Sequence, residues 1–453
     1  MSSICFISNQ TKTDFFELLA DELASKGVDV FWIAVNKRIS DNLISKYGKE
    51  RVLYLPLTID SIGKIFELKI NDLLLADRRL KNVPQQGVSY LINIQLHIYK
   101  FLTENLIKRI VGEQTYAYEC VIFRIVKYFV PECQWLSPYP SRYPSGHFSF
   151  YCDESFSREI FESSKSNACS LDIMNNNIEP KNGQDYKRAI KLYIKESKTF
   201  KLKLEKIIRF FSAKNYDSED PTWKSNTRLD KFKKNMTYFI NIFMYRFVGK
   251  VGLDDLNNVI GQKIVFPLHL QPELNIDTAG RYFDNQKQTI IDIWRQLGPN
   301  DVLYIKEHPI AIGNRSYSFF NSLTFWPNIR VLSEKVDVND LLKCVDYVFT
   351  ISGTMGMEAA LMGNKVFCLA PTTYNRLSTV ATPNIEDFRN AKNIDDLYNN
   401  SLNKEIKWSL KEYKQHMENF SFIGDAEGDI TGNPEARNSM NIKLVANALL
   451  STF

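Results

Sequence analysis

The stretch DYVFTISGTMGMEAALMGNKVFCLA, residues 346–370, contains one complete β-α-β pattern. DYVFTIS is a short apolar run typical of a buried strand, and KVFCLA is a second run of the same kind. Between them, GTMGMEAALMG begins at a Ser/Thr/Gly turn and continues with good helix formers. Because a crossover helix joins parallel strands, the stretch predicts an open, doubly wound α/β sheet.

The same alternation recurs elsewhere in the chain. Apolar strand patterns at 263–270 and 301–309 enclose a helical pattern at 283–298, which ends at a glycine. Near the N-terminus, ICFIS (4–8) and VDVFWIAV (28–35) enclose another helical pattern. The chain of 453 residues is long enough for two ordinary domains. We therefore expect two Rossmann-type α/β domains.

The predicted boundaries follow changes in composition. The first domain is expected at 1–258 and the second at 259–435, with a helix at 436–453 that packs back on the first domain. Within the first domain, residues 186–250 are Lys-rich, aromatic and helical in pattern. Two interpretations of this helical insertion remain open. Its helices cap the sheet with a solvated face, or they hold a basic face against anionic lipid or a polyanionic acceptor.

Bulk composition restricts the class of protein. The net charge of +5 suits an anionic ligand or a membrane surface and is too small and diffuse for a nucleic-acid-binding protein. The seven cysteines form no CxxC pair, which indicates reduced thiols. We see no signal-peptide pattern and no apolar run of the ~18 residues that a transmembrane helix needs. We expect a cytoplasmic protein, with peripheral attachment to the inner face of the cytoplasmic membrane as a further expectation.

Ionisable residues follow the strand pattern at 301–309, where the sequence is KEHP. In open parallel sheets, ligands bind beyond the carboxyl ends of the strands. Lys306 can supply charge to a phosphate there, and His308 can donate a hydrogen bond, while Pro309 ends the strand. The alternative is a histidine that is hydrogen-bonded to nearby backbone.

The turn at Ser352, Gly353 and Thr354 forms a second candidate binding element. Amide groups at a helix N-terminus, together with hydroxyl groups, favour an anion, and Glu358 lies about one helical turn further on, where it can accept hydrogen bonds from a ribose. The alternative is ordinary capping of the helix by Ser352 or Thr354. Both elements predict nucleotide-sugar binding.

Carboxylates near the end of a first-domain strand are candidate catalytic groups. Glu113 follows Gly112 at a strand-to-helix junction, where it can act as a general base or a nucleophile, and Asp153 is the second choice. The alternative for Glu113 is a carboxylate that stabilises the helix N-terminus. Candidate substrate-binding residues are Arg142, His269 and Glu273.

Several catalytic motifs are missing from the sequence. It contains no P-loop, no GxGxxG after the first strand, no HExxH, no GxSxG and no convincing DxD motif. We therefore expect no metal and no cofactor.

The segments FPLHLQPE, YIKEHP and TISGTMGMEAALMGNKVF, in that order, resemble bacterial capsule polysaccharide synthesis proteins. These are GT-B glycosyltransferases similar to the CMP-Kdo-dependent Kdo transferases. The resemblance is strong over about 265–375, and GEQTYAYE followed by PSRYPSGHFSF is more loosely similar. It implies a GT-B-like fold, with two Rossmann-type domains that face a cleft.

The resemblance also implies roles for particular residues. The His308–Pro309 pair would bind the phosphate of a CMP-activated sugar, the Ser352–Thr354 turn would complete that site, and Glu358 would hold the ribose. The sequence departs from related Kdo transferases because it lacks the acidic-Asp-Gly motif of their first domain. The identity of the catalytic carboxylate and the stereochemical course therefore stay open.

Together these features predict a metal-independent glycosyltransferase. It is expected to transfer an acidic sugar, Kdo or a sialic-acid-like sugar, from a CMP-activated donor to a growing capsule or lipopolysaccharide, or to its lipid-linked acceptor. Two alternatives remain. One is a GT-B transferase or an epimerase that uses a UDP- or GDP-sugar, and the other is a nonenzymatic scaffold of a capsule-assembly complex. Expected partners are the donor, the saccharide acceptor, and an inner-membrane surface or assembly complex, and no nucleic acid.

Overall fold

The computed structural model describes residues 2–9, 12–63, 66–163, 218–222, 228–271, 273, 275–402, 406–428 and 434–453. The chain divides into two compact units. The first unit combines residues 1–225 with residues 414–453, and the second contains residues 226–413. Most of the predicted insertion, residues 186–217 and 223–227, lies outside the described residues, whereas its last helix is described.

The described strands form two β-sheets. In chain order they are β1 (Ser3–Ile7), β2 (Asp29–Ala34), β3 (Val52–Tyr54), β4 (Arg109–Val111), β5 (Gln134–Pro140), β6 (His147–Tyr151), β7 (Glu159–Ile160), β8 (Lys250–Val251), β9 (Lys263–Pro267), β10 (Val302–Lys306), β11 (Ile329–Leu332), β12 (Tyr347–Thr350), β13 (Lys365–Cys368), β14 (Val380–Ala381) and β15 (Phe422–Ile423).

Helices separate most of these strands. In chain order the α-helices are α1 (Thr13–Ser25), α2 (Lys37–Tyr47), α3 (Asn71–Ala76), α4 (Pro84–Glu104), α5 (Ala117–Phe129), α6 (Arg228–Tyr245), α7 (Asp254–Asn257), α8 (Gln286–Trp294), α9 (Tyr317–Thr324), α10 (Val338–Cys344), α11 (Thr354–Met362), α12 (Ile385–Asn390), α13 (Ile394–Leu402), α14 (Leu410–Asn419) and α15 (Ser439–Leu450). None of the helices within the described ranges is long and apolar enough to cross a membrane.

The sheet of the first unit is parallel at its centre, in the order β3-β2-β1-β4-β5. β6, β7 and β15 extend it in antiparallel fashion. β1 and β2 are buried almost throughout, because apolar side chains cover both faces of the sheet. On one face α1 packs beside α15, which lies at the far end of the sequence. The C-terminal helix is thus part of the first unit.

The sheet of the second unit has the order β8-β11-β10-β9-β12-β13-β14, and every neighbouring pair is parallel. From β9 the chain runs outward to β10 and β11 and then returns to the other side of β9 to form β12. The strand order therefore reverses between β9 and β12. Both units are Rossmann-type, which confirms the predicted α/β class.

The unit boundaries differ from the predicted domain limits of 258 and 435. Residues 226–258 lie in the second unit because β8 pairs with β11. The first unit resumes at residue 414, and β15 there pairs with β6. Composition changes guided the predicted limits, whereas strand pairing sets the real ones. Two-residue strands such as β8 and β15 are too short to leave a pattern in the sequence.

Candidate functional site

The reversal of strand order in the second unit brings two loops together. One loop follows β9 and contains His269, and the other follows β12 and contains Ser352 and Gly353. In doubly wound sheets such a switch point forms a crevice beyond the carboxyl ends of the strands, and ligands bind there. The sequence-predicted residues of the second unit can therefore be examined as one site.

His269 joins the two strand ends. Its Nε2 lies 3.2 Å from the backbone N of Ile351, which donates to it, and 3.2 Å from Oγ1 of Thr350. Burial, together with the positive charge of Arg315, lowers the pKa of His269 to about 3. The ring is therefore neutral near pH 7. Since Nε2 accepts a hydrogen bond, the ring proton resides on Nδ1, which leaves an N–H donor beside the Gly353 turn.

The N-terminus of α11 begins beside this ring. Its N-cap is Gly353, which has no side chain, so neither Ser352 nor Thr354 occupies the N-cap position that the alternative gave them. The backbone N of Gly353 donates to Oγ1 of Thr350 over 2.9 Å. A Cβ atom on Gly353 would lie 2.7 Å from Cε1 of His269. Gly353 thus allows His269 and Thr350 to pack closely against the start of α11, and it offers no side chain that could cap the helix.

Thr354 and Glu358 are both exposed on α11, four residues apart and therefore on one face of the helix. Gly356, in contrast, is buried, and a Cβ atom there would lie 2.4 Å from Cγ2 of Thr350. Gly356 therefore permits close packing of α11 on β12. Of these two faces of α11, only the one that carries Thr354 and Glu358 is accessible to a nucleotide.

β10 ends beside β9 with Lys306, whose side chain is largely buried. Burial lowers the pKa of Lys306, although the carboxylates of Glu334 and Asp337 act in the opposite direction. Its Nζ lies 3.5 Å from the carbonyl oxygen of Ser333. The strand end thus provides one cationic group near the crevice.

Glu307 and Arg315 form a buried ion pair, with Nη1 2.5 Å from Oε1. The other guanidinium nitrogen of Arg315 donates to the carbonyl oxygen of His269. Arg315 therefore ties the end of β10 to the end of β9. The sequence did not reveal this role because eight residues separate Arg315 from its carboxylate partner.

His308 lies at the start of the short 3₁₀ turn Pro309–Ala311. Its Nδ1 accepts a hydrogen bond from the backbone N of Ile310 over 3.3 Å. Burial lowers the pKa of His308, and the charge of Arg315 lowers it further. The backbone hydrogen bond that was the alternative for His308 is therefore present. It also places the proton of the neutral ring on Nε2, which is a donor suited to a phosphate oxygen.

The corresponding switch point of the first unit lies between β1 and β4. Glu113 follows β4 there and forms an ion pair with Lys12, which follows β1. The Lys12 side chain is fully buried, and that of Glu113 is 13% exposed. The predicted catalytic carboxylate thus lies beyond a strand end, held by a lysine that the sequence did not indicate.

Glu427 and Arg142 belong to the same unit and lie near this pair. Nη2 of Arg142 is 4.0 Å from Oε1 of Glu427. Burial raises the pKa of Glu427, although the charges of Arg142 and Lys12 oppose the rise. Glu427 comes from the segment 414–453, so its position cannot be read from local sequence. Two acidic and two basic side chains therefore surround the carboxyl end of β4.

Glu119, one turn into α5, is buried and accepts hydrogen bonds from the backbone N of Thr115 (2.6 Å) and of Tyr116 (2.9 Å). Burial, together with the neighbouring carboxylate of Glu113, raises the pKa of Glu119 to about 8. The helix N-terminus is thus stabilised by Glu119, which leaves Glu113 free of the role that was its alternative.

Asp153 has different surroundings. Its carboxylate accepts hydrogen bonds from Ser155 Oγ (2.9 Å) and Ser157 Oγ (2.7 Å), and from the backbone N of Arg158 (3.0 Å). The acceptor positions of the carboxylate are thereby used to hold one turn. The structure therefore favours Glu113 as the catalytic candidate.

Glu273, predicted to bind substrate, lies in the loop after β9. Its carbonyl oxygen accepts hydrogen bonds from the backbone N of Ile276 (3.1 Å) and of Asp277 (2.8 Å). These bonds begin the turn Asn275–Ala279. The substrate-binding role of Glu273 stays a prediction.

The geometry of the second unit agrees with a family assignment. Residues 230–413 match the model of the family described as "Capsule polysaccharide biosynthesis protein". A curated relative, the lipopolysaccharide-processing protein LpsZ of Rhizobium meliloti, is 29% identical over 97 residues. That match covers 21% of this chain and 21% of the relative, so the chain spans about a fifth of the curated relative's length.

Solved structures show only a distant likeness. The β-Kdo 2,7-transferase of KpsC from Thermosulfurimonas dismutans is 10% identical, with 100% of both chains covered and a TM-score of 0.36. The UDP-GlcNAc 2-epimerase of Neisseria meningitidis is 12% identical, with 92% of this chain and 98% of the epimerase covered and a TM-score of 0.27. Scores this low support no conclusion about function.

Proposed function

We propose that the protein is a glycosyltransferase of surface polysaccharide synthesis. It takes an acidic sugar, Kdo or a sialic-acid-like sugar, from a CMP-activated donor and transfers it to a growing capsule or lipopolysaccharide chain, or to its lipid-linked acceptor. The family match over residues 230–413 supports a role in polysaccharide synthesis. One observation carries the proposal, namely that α11 begins at Gly353 without a capping side chain, at the switch point of the second sheet.

The donors around this switch point suit a single phosphate group. The amides at the start of α11 favour an anion, and the ring N–H groups of His269 and His308 are neutral donors. Lys306 adds one cationic group, whereas Arg315 is already paired with Glu307. The site thus offers many hydrogen-bond donors and little unpaired positive charge. That balance fits a nucleoside monophosphate leaving group better than a more highly charged diphosphate.

In the proposed reaction, an acceptor hydroxyl oxygen forms a bond to the anomeric carbon of the donor sugar. The bond from that carbon to the phosphate oxygen breaks, and the electron pair leaves with CMP. Donors at the α11 terminus stabilise the charge that develops on the phosphate. Glu113 is the carboxylate of the first unit that takes the hydroxyl proton in this direct displacement, and Lys12 orients it. In the two-step alternative, Glu113 first displaces CMP as a nucleophile, and the acceptor oxygen then displaces Glu113 and releases its proton to solvent.

The first test is thermal stabilisation by CMP, UDP and GDP. A ligand that binds only the folded state raises the melting temperature, by an amount that grows with the ratio of ligand concentration to Kd. We expect a shift with CMP in the wild type that is lost in His308→Ala. His97→Ala is the matched control, because His97 lies on α4 in the first unit, where its Nε2 is 2.9 Å from the carbonyl oxygen of Asp60.

The outcomes separate the alternatives. A shift with UDP or GDP and not with CMP would exclude the CMP donor and favour a transferase or epimerase that uses a nucleoside diphosphate sugar. No shift with any of the three nucleotides would overturn the donor site and favour a scaffold role. An equal CMP shift in His308→Ala and His97→Ala would show that His308 does not contact the phosphate.

A further inference from the structure

Helix α6 packs on the second unit through one of its faces. Nδ2 of Asn241 donates to the carbonyl oxygen of Gly313 over 3.0 Å, and the Tyr245 ring lies 5.3 Å from that of Phe320. Asn241 and Tyr245 are buried, as is Val248 just after the helix. The spacing of these positions, four and three residues, defines one side of the helix. The helix is therefore anchored without help from its other side.

The opposite side of α6 is apolar and exposed. Seven large side chains on it and just beyond its end are each between 48% and 64% exposed: Leu229, Phe232, Met236, Phe239, Ile240, Phe243 and Phe247. At 100° per residue they fall within an arc of roughly 100°, which is a single stripe. A helix on the surface of a globular domain normally turns such a stripe toward the core. In α6 the side that faces the core is the one that carries Asn241 and Tyr245, so the exposed stripe is a second, separate apolar face.

Positive charge accompanies this stripe. Between residues 229 and 247 the cations are Lys231, Lys233, Lys234 and Arg246, and the one acidic residue is Asp230. On the helical wheel, Lys233 and Arg246 flank the stripe on its two sides. An exposed, Phe-rich apolar face bordered by cations is the pattern of helices that lie in the interface of an anionic bilayer.

We propose that the exposed face of α6 docks the protein on an anionic membrane surface. The phenylalanine and leucine side chains enter the boundary between headgroups and acyl chains, and the flanking cations contact lipid phosphates. Charge favours an anionic membrane over two other partners for this face, a second copy of the chain and another segment of the same chain. A second copy of the chain would bring the same cations to the contact. The segment 186–211 of this chain carries nine Lys or Arg and two Glu residues, so it would also place positive charge against positive charge.

The inference is independent of the donor site and is tested by co-sedimentation of the purified full chain with vesicles. Vesicles of phosphatidylcholine alone are compared with vesicles that also contain phosphatidylglycerol. We expect binding to the second kind only. A double variant, Phe239→Ser with Phe243→Ser, is expected to bind at least about tenfold more weakly, because two apolar side chains no longer enter the interface. Lys233→Glu with Arg246→Glu, which changes the two flanking cations, is expected to weaken binding by a similar factor and to reduce its salt dependence.

Matched controls are Ile260→Ser and Phe325→Ser, since both residues are highly exposed in the same unit (94% and 81%) and lie outside α6. They are expected to bind vesicles as the wild type does. Failure of the wild type to bind phosphatidylglycerol vesicles would overturn the proposal, as would unchanged binding of the double-serine variant. Light scattering and melting curves provide a second check. A change of oligomeric state, or a fall in melting temperature in the double-serine variant and not in the controls, would overturn it in favour of a second copy or an intrachain contact.

Discussion

The switch points of the two sheets occupy equivalent places in two similar folds, and their chemistry differs. In the first unit, formal charges meet in pairs, Lys12 with Glu113 and Arg142 with Glu427. In the second unit, the Glu307–Arg315 ion pair is accompanied by two histidines whose pKa values are lowered and by a helix N-terminus that lacks a capping side chain. Strand order thus fixes where a site forms and leaves its chemistry to the loop residues.

The difference indicates that the two switch points have different chemical roles. A carboxylate held by a buried lysine can receive a proton or attack a carbon atom, and neutral N–H donors can bind a phosphate with little cost from burying charge. Variants at the first switch point should therefore affect the chemical step and leave nucleotide binding unchanged, whereas variants at the second should weaken nucleotide binding and, with it, stabilisation of the leaving phosphate.

The largest expected effect is on the chemical step. Glu113→Gln keeps a hydrogen-bond acceptor for Lys12 but cannot take a proton or act as a nucleophile. We expect kcat for CMP release from a CMP-sugar to fall by about 10²–10⁴-fold, with an unchanged thermal shift by CMP. The measurement is CMP release in the presence of acceptor.

Asp153→Asn is the matched variant for this prediction. Asparagine leaves one oxygen for the N–H and O–H donors of the turn, so we expect a loss of stability of about 1–3 kcal/mol and a kcat within a few-fold of the wild type. A loss of kcat in Asp153→Asn together with normal activity in Glu113→Gln would exchange their roles.

An intermediate effect is expected on nucleotide binding. Gly353→Ala would force His269 and Thr350 to move, because its Cβ would lie 2.7 Å from Cε1 of the first and 2.9 Å from Oγ1 of the second. We expect a loss of stability of about 1–3 kcal/mol and CMP binding that is weaker by roughly tenfold. Isothermal titration and chemical unfolding measure the two quantities.

Gly249→Ala serves as the control, because no atom lies within 4 Å of its added Cβ. It should bind CMP as the wild type does and keep its stability. If both variants bind CMP equally well, the close packing at Gly353 does not shape the binding site.

The smallest effect is a pH dependence that distinguishes the two units. Burial raises the pKa of Glu119 from an ordinary 4.5 to about 8, so the folded state binds more protons than the unfolded state between these values. The stabilising contribution of Glu119 is complete below pH 4.5 and is lost as the pH rises toward 8. The titration of His269 in the second unit has the opposite effect on stability. Its pKa is lowered from 6.5 to about 3 in the folded state, so the folded protein loses stability as the pH falls below 6.5.

Glu119→Gln removes the titrating group and keeps an acceptor for the backbone N of Thr115 and Tyr116. We expect the melting temperature of this variant relative to the wild type to increase steadily between pH 4.5 and pH 8. A constant difference over that range would mean that Glu119 does not titrate there in the folded protein.

Long-range pairing explains where sequence-based prediction was limited. Apolar runs sufficed for the α/β class and the central strands, and KEHP marked a true strand end. Lys12 and Glu427 were missed because their positions depend on contacts between distant segments. Asp153 was the second choice for the catalytic carboxylate, and a turn could have been predicted there, because Ser155 and Ser157 follow it at the spacing at which an Asp side chain binds nearby backbone. Capping by Ser352 or Thr354 was the alternative to an anion site, but the N-cap position is Gly353, which lies between them.

The first unit is interrupted in sequence by the whole of the second, and this has a consequence for synthesis on the ribosome. Helix α1 and its partner α15 are separated by more than 400 residues, and β6 likewise awaits β15. A nascent chain therefore finishes the second unit while the first still exposes an open sheet edge and an apolar face. Glu427 lies in residues 414–453, so the charged cluster around Glu113 is assembled only after the second unit has been translated.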